Sequence, residues 1–179
     1  RKIADELGIP YTFEDGALRA VRHPFVYLVE AADDICYQLM DLEDAYKLKL
    51  LTRDETIALM MPFIEEDRHA RVADTFKLVT DSNEQIAYLR ATVIGLLVKE
   101  CTQVFMDNEE AILNGTFEGA LIKHISDPLN NAYKQCSKVA VEKIYRSRDV
   151  LDIELAGFHV ISTLLELMID AVQSPDKAY

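Results

Sequence analysis

An all-α fold follows from three features of the sequence. Apolar residues recur three and four positions apart over long stretches, the spacing of one helical face. Glycine (6) and proline (5) are scarce in 179 residues, and most stand where a helix would start or stop. No strand-like alternation runs long enough to build a sheet. With 50% hydrophobic residues the chain can fill one core, so residues 1–179 are read as a single helical unit of about seven helices.

Residues 1–21 read as a connector or arm: an amphipathic turn from Ile3 to Leu7, ended by Gly8 and Pro10, then the polar segment TFEDGALRA. Pro24 opens the central helix, where a missing N–H costs nothing, with His23 either capping it or facing its acidic side. That helix runs to about Leu48, with Leu28, Ala32, Ile35, Leu39 and Leu42 as its buried band. Thr52 and Glu55 form a capping box for a short helix that Pro62 ends. A helix from Glu66 to Val79 follows, with Val72, Phe76 and Val79 on one side.

Ser82 and Gln85 suggest a second capping box. The helix it opens buries Ile86, Ala91, Ile94, Leu97, Val98, Cys101, Val104 and Phe105, and continues to Leu113 and the Asn114-Gly115 stop. Phe117–His124 suits a short helix. Asp127-Pro128 begins another, lined by Tyr133, Cys136, Val139, Ala140 and Ile144. The last runs from Leu151 to Val172, with Ile153, Ala156, Val160, Leu164, Leu167 and Ala171 buried, and Ser174-Pro175 closes it.

The formal charge of −12 argues against a general nucleic-acid surface, although Lys134, Lys138, Lys143, Arg146 and Arg148 make the later part less acidic. Three cysteines without a CxxC pair (Cys36, Cys101, Cys136) point to buried, reduced thiols in a cytoplasmic protein. No apolar run approaches the ~20 residues of a membrane span, and no membrane partner is expected. Glycine-rich phosphate loops and a nucleophile elbow are absent. The histidines make no HExxH or His-Asp pair. His69 and His124 read as surface residues and His159 as a satisfied core residue.

The central helix carries the most chemistry. Glu30, Asp33, Asp34, Tyr37, Asp41 and Asp44 lie opposite the apolar band. A solvated acidic face explains five carboxylates without any ligand. The order of three of these six residues suits more. Asp33, Tyr37 and Asp41 fall four apart and stack within about 80°: a hard oxygen for a divalent cation, a ring for a sugar or base, and a carboxylate for a sugar hydroxyl. One carboxylate does not make a catalytic metal site.

The segment from Arg22 to Tyr37 (RHPFVYLVEAADDICY), followed by Asp41-Leu42-Glu43-Asp44, resembles the last metal-ligand segment of the deoxyguanosine triphosphate triphosphohydrolases, within the HD-domain phosphohydrolases. Leu89–Gly95, Asn108–Leu113, Ile144-Tyr145 and Glu154–Gly157 fit the same family in the same order. The resemblance implies an HD-domain-like helical bundle that hydrolyses a deoxynucleoside triphosphate to deoxynucleoside and tripolyphosphate with a divalent metal such as Mg or Mn. It implies Asp33 as the final carboxylate ligand, Tyr37 and Asp41 as the deoxyribose-holding pair, and Arg90 as a phosphate or base contact.

Asp34 stands where a related enzyme has a lysine, so phosphate binding would come from elsewhere. The family's first histidine and its His-Asp pair are absent. The chain, which begins at Arg1, is therefore expected to be the C-terminal part of a longer enzyme and inactive alone. Relatives assemble as homo-oligomers, and single-stranded DNA is a further candidate partner. Two alternatives stay open: an HD-type phosphohydrolase of another nucleotide, and a non-catalytic helical regulatory or scaffold module.

Overall fold

The structure, a computed structural model, describes residues 2–174. Helix α1 (Lys2–Leu7) leads into two short strands, β1 (Tyr11–Glu14) and β2 (Ala17–Ala20), paired antiparallel with Tyr11 opposite Ala20. This hairpin places strand structure within residues 12–20, where no strand was expected in the connector or arm. Its cause is Asp15-Gly16, both at positive φ (51° and 78°), the backbone that a tight two-residue turn requires. The strands are too short for alternation to reveal them, but the Asp-Gly pair marks the turn.

The remaining regular elements are helices: α2 (Pro24–Lys47), α3 (Arg53–Met60), α4 (Glu66–Leu78), α5 (Ser82–Asp107), α6 (Glu109–Leu113), α7 (Asp127–Val139) and α8 (Arg148–Gln173). Short 3-10 turns occupy Met61–Phe63 and Leu121–His124, and a π-helical turn, Ala140–Ile144, extends α7. The expected all-α architecture is therefore correct, with a small hairpin at its edge. Pro175 lies outside the described residues.

Helices α2 and α5 make the most extensive interhelical contact, and α3, α7 and the 3-10 turns pack around them. Ile35, Leu39 and Leu42 of α2 meet Ile86, Leu89, Val93 and Leu97 of α5 in the buried core. The α2 stripe sits one residue earlier than expected at its start. Tyr27 and Ala31 are buried, while Leu28 and Ala32 are exposed. Tyr27 takes the inner position because its hydroxyl donates to the Phe117 carbonyl at 2.8 Å and its ring meets that of Phe117 edge-on, which satisfies the polar tip of a buried tyrosine. On α5, Leu89 and Val93 are buried, Ile94 is half-buried, and Ala91 and Val98 are exposed.

Capping also departs from expectation. The Thr52–Glu55 box forms, and His23 caps α2 by accepting from the Phe25 N–H. Asp81 rather than Ser82 caps α5, its carboxylate accepting from Asn83 and Glu84, since a charged acceptor gains more from the helix dipole. Ser126 precedes α7 and Asp127 lies inside its first turn. Asn108 divides the expected long helix into α5 and α6, its side chain donating to the Val104 carbonyl at 2.8 Å. Phe117–Ala120 is irregular chain with a bend at Gly119 (φ 85°), and only Leu121–His124 forms a helical turn.

The largest correction concerns α8. None of its residues is buried, and Ile153, Val160, Leu164 and Leu167 are 54–65% exposed. His159, read as a core residue, is exposed with them. By length and composition α8 is also apolar enough to cross a membrane, which corrects the expectation that no apolar run approaches that length. Spacing identifies an apolar face but not whether the described residues supply anything to cover it.

Candidate functional site on the outward face of α2

The acidic side of α2 is partly neutralised by the chain itself. Glu30 pairs with Arg22, whose guanidinium lies 4.5 Å from the Tyr27 ring centroid. Asp44 is 3.4 Å from Lys47, which also meets Glu43 at 2.9 Å. Asp41 accepts a hydrogen bond from the Tyr145 hydroxyl, 104 residues on. Burial and that bond push the Tyr145 hydroxyl up to about 12, so it remains a donor at neutral pH. Asp33 and Tyr37 reach solvent without a side-chain hydrogen bond or ion pair among the described residues.

Asp33 does not stand on a purely polar strip. At 100° per residue, Val26, Val29, Tyr37 and Met40 lie within about 40° of it, and they are 42%, 69%, 63% and 47% exposed. Carboxylates need no cover, but four uncovered apolar side chains bracketing one carboxylate mark a surface made for contact. Cys36 borders this strip and is exposed, which corrects its assignment as buried. Cys101 and Cys136 are buried, as expected, and burial raises both thiols, to about 11 and about 12.

Asp34 faces a different flank. It borders a cavity of about 420 Å³ lined also by Lys123, Asn130, Tyr133 and Lys134. Its carboxyl is held above the ordinary carboxylate range by burial, then by the charges of Glu30 and Asp33, against a smaller opposing effect of Lys123. The Tyr133 hydroxyl donates to the Asp34 carbonyl at 3.1 Å and the Ser137 hydroxyl to Gln38 Oε1 at 2.6 Å. These bonds fix α7 against α2 and so set the orientation of the Asp33 strip.

Asp33, Tyr37 and Asp41 thus share one face as their spacing requires, and Tyr145 joins them at Asp41. Spacing along α2 had no means of finding Tyr145, because its approach depends on how the end of α7 packs. Arg90, on α5, places its Nε 2.8 Å from Glu43. His69 and His124 bond to the backbone carbonyls of Ile64 and Glu118. Among the described residues no group of three His, Cys, Asp or Glu side chains is placed to hold a metal ion. The donors present do not by themselves fit a metal centre.

Comparison with known proteins adds a second line of observation. A Pseudomonas aeruginosa protein described as deoxyguanosinetriphosphate triphosphohydrolase-like is 33% identical over 173 residues, covering 95% of this chain and 37% of its own length. A deoxyguanosinetriphosphate triphosphohydrolase of Yersinia enterocolitica is 31% identical over 172 residues, covering 88% of this chain and 34% of its own. A Synechocystis protein, also described as deoxyguanosinetriphosphate triphosphohydrolase-like, is 33% identical over 147 residues, 80% of this chain and 31% of its own. The chain spans about a third of the length of these curated relatives. No protein-family model matches it.

Proposed function

This chain is a segment of the deoxyguanosinetriphosphate triphosphohydrolase family, and from that premise we propose that the complete protein hydrolyses a deoxynucleoside triphosphate of the dGTP type. The products would be the deoxynucleoside and tripolyphosphate. The α2 strip would be this segment's share of the active site, with Asp33 contributing one carboxylate to a divalent metal whose other ligands come from polypeptide outside residues 1–179. Such a metal would supply charge neutralisation at the triphosphate.

The observation that carries this reading is the strip itself: an outward carboxylate, free of any ion pair among the described residues, set among exposed Val26, Val29, Tyr37 and Met40. A solvated acidic face would not place apolar side chains around its central carboxylate. Tyr37 would stack on the deoxyribose and Asp41 would accept from its hydroxyl. A tight ring-to-sugar contact excludes a 2′-oxygen by steric conflict. The Tyr145 hydroxyl occupies one lone pair of the Asp41 carboxylate and orients it, leaving further acceptor positions for a sugar hydroxyl.

Hydrolysis of dGTP by the full-length protein, followed as tripolyphosphate and deoxyguanosine release, tests the proposal. Asp33→Ala should abolish turnover, while Asp34→Ala, which turns to the neighbouring flank, should retain it. Full activity in Asp33→Ala would overturn the assignment. Turnover of another nucleotide in place of dGTP would overturn the substrate.

A further inference from the structure

Helix α8 is about 39 Å long at 1.5 Å per residue, and it carries twelve large apolar side chains that are 43–82% exposed. Their distribution is uneven. Arg148, Asp152, His159, Thr163, Glu166 and Asp170 fall within about 60° of one another. The twelve apolar side chains, Ile153, Phe158, Val160, Ile161, Leu164 and Met168 among them, are spread over the opposite arc of about 240°. A helix lying on a single surface needs an apolar stripe of roughly 100°. An arc twice as wide has to be covered from two sides, with only the narrow polar strip left in water.

Three occupants come into question, and charge separates them. A spanning helix in lipid is apolar all round, whereas α8 keeps a polar strip along its length. A helix lying in the membrane surface carries lysine and arginine on its polar face. Helix α8 instead carries Asp149, Asp152, Glu154, Glu166 and Asp170 against Arg148, which anionic lipid repels. A second copy of α8 packed antiparallel would bring Asp149, Asp152 and Glu154 towards Glu166 and Asp170, like charge on like charge. The Pseudomonas aeruginosa relative matches this chain over only 37% of its own length, so a relative of this family carries more polypeptide outside the matched segment than within it.

We infer that α8 is a core helix of the complete protein, held between two apolar elements supplied by the same polypeptide outside residues 1–179. Glu154 lies inside the apolar arc, so one of those elements presents a lysine or arginine to it. The polar strip faces solvent. Helix α8 thereby ties this segment to the remainder of the molecule, independently of what the α2 strip binds.

The test is photo-cross-linking of full-length protein assembled from an equal mixture of ¹⁴N- and ¹⁵N-labelled chains, with p-benzoylphenylalanine in place of Phe158. Cross-linked peptide pairs should carry one isotope only and map outside residues 1–179. Mixed-isotope pairs would place a second copy on α8. Adducts with added phosphatidylglycerol vesicles would place lipid there, and pairs confined to residues 1–179 would place it on this segment. Absence of any adduct would leave it bare. Each of these four outcomes overturns the inference. As an independent readout, Leu164→Asp should lower the unfolding temperature of the full-length protein without changing its mass by light scattering, while Thr163→Asp on the polar strip should not. Unchanged stability in Leu164→Asp, or a fall in mass to single chains, would overturn it as well.

Discussion

Gln85 ties three helices together, and replacing it isolates that function. Its side chain is buried, 6% exposed. Its Oε1 accepts from Arg53 Nε at 2.9 Å and Nη2 at 2.6 Å, and its Nε2 donates to the Val79 carbonyl at 2.6 Å and, more weakly, to the Phe76 carbonyl at 3.3 Å. One residue at the start of α5 thus holds the first turn of α3 and the end of α4. Gln85→Leu keeps the volume and removes all four bonds. The amide bond to Val79 contributes about 1 kcal/mol net, and the bonds to the Arg53 guanidinium about 1.5–3 kcal/mol. The lower end applies to Arg53, because it is 37% exposed and keeps Asp54 at 2.8 Å. The expected loss is about 2–3 kcal/mol. Urea unfolding measures it as a lower midpoint with unchanged slope. Arg53→Met should cost far less in the Gln85→Leu background than in wild type, because the two changes remove the same bonds. A loss below about 0.5 kcal/mol in Gln85→Leu, where surface changes ordinarily fall, would refute the clamp.

Other perturbations follow from the same geometry. Burial and neighbouring carboxylates raise Asp34, so the native state binds its proton more tightly than the unfolded chain and ionisation costs stability as pH rises through the native value. Asp34→Asn should therefore stabilise the protein at neutral pH, with the gain fading below the ordinary carboxylate range; thermal unfolding from pH 3 to 7 reads this directly. Glu55 behaves oppositely, since its bonds to Lys143 and Thr52 hold it down at about 2. Its contribution is present at neutral pH and disappears on acidification from about 4.5 towards 2, so Glu55→Gln should flatten the acid limb of the same curve. Tyr27→Phe removes the donor to the Phe117 carbonyl and should cost about 1–3 kcal/mol through the stranded acceptor, measured by equilibrium unfolding. Tyr145→Phe frees the Asp41 carboxylate and should raise KM for the deoxynucleotide more than it lowers kcat, read from steady-state kinetics of the full-length protein.

Local rules carry most of the fold. Periodicity gives α2, α3, α4 and α7 nearly to their ends, and Thr52, His23 and Pro24 mark their starts through chemistry confined to one turn. What local rules miss depends on partners remote in sequence. Tyr27 displaces Leu28 from the core because Phe117 offers a carbonyl ninety residues away, and Tyr145 reaches Asp41 through the packing of α7 on α2. The exposure of α8 is a property of what surrounds it, to which spacing is blind. The Asp33–Tyr37–Asp41 alignment was legible because four-residue spacing alone places those side chains on one face. The exposed apolar neighbours of Asp33 were not, since Leu28 and Ala32 share their chemistry and only packing decides which face is inward.

Manganese titration of the full-length protein by electron paramagnetic resonance tests the assignment of Asp33 most directly, because it reads the ion without requiring turnover. Wild type and Asp34→Asn should bind Mn²⁺ with similar affinity, and Asp33→Asn should bind at least roughly tenfold more weakly, as the loss of a ligating carboxylate demands. Undiminished affinity in Asp33→Asn would mean that the strip on α2 faces something other than a metal.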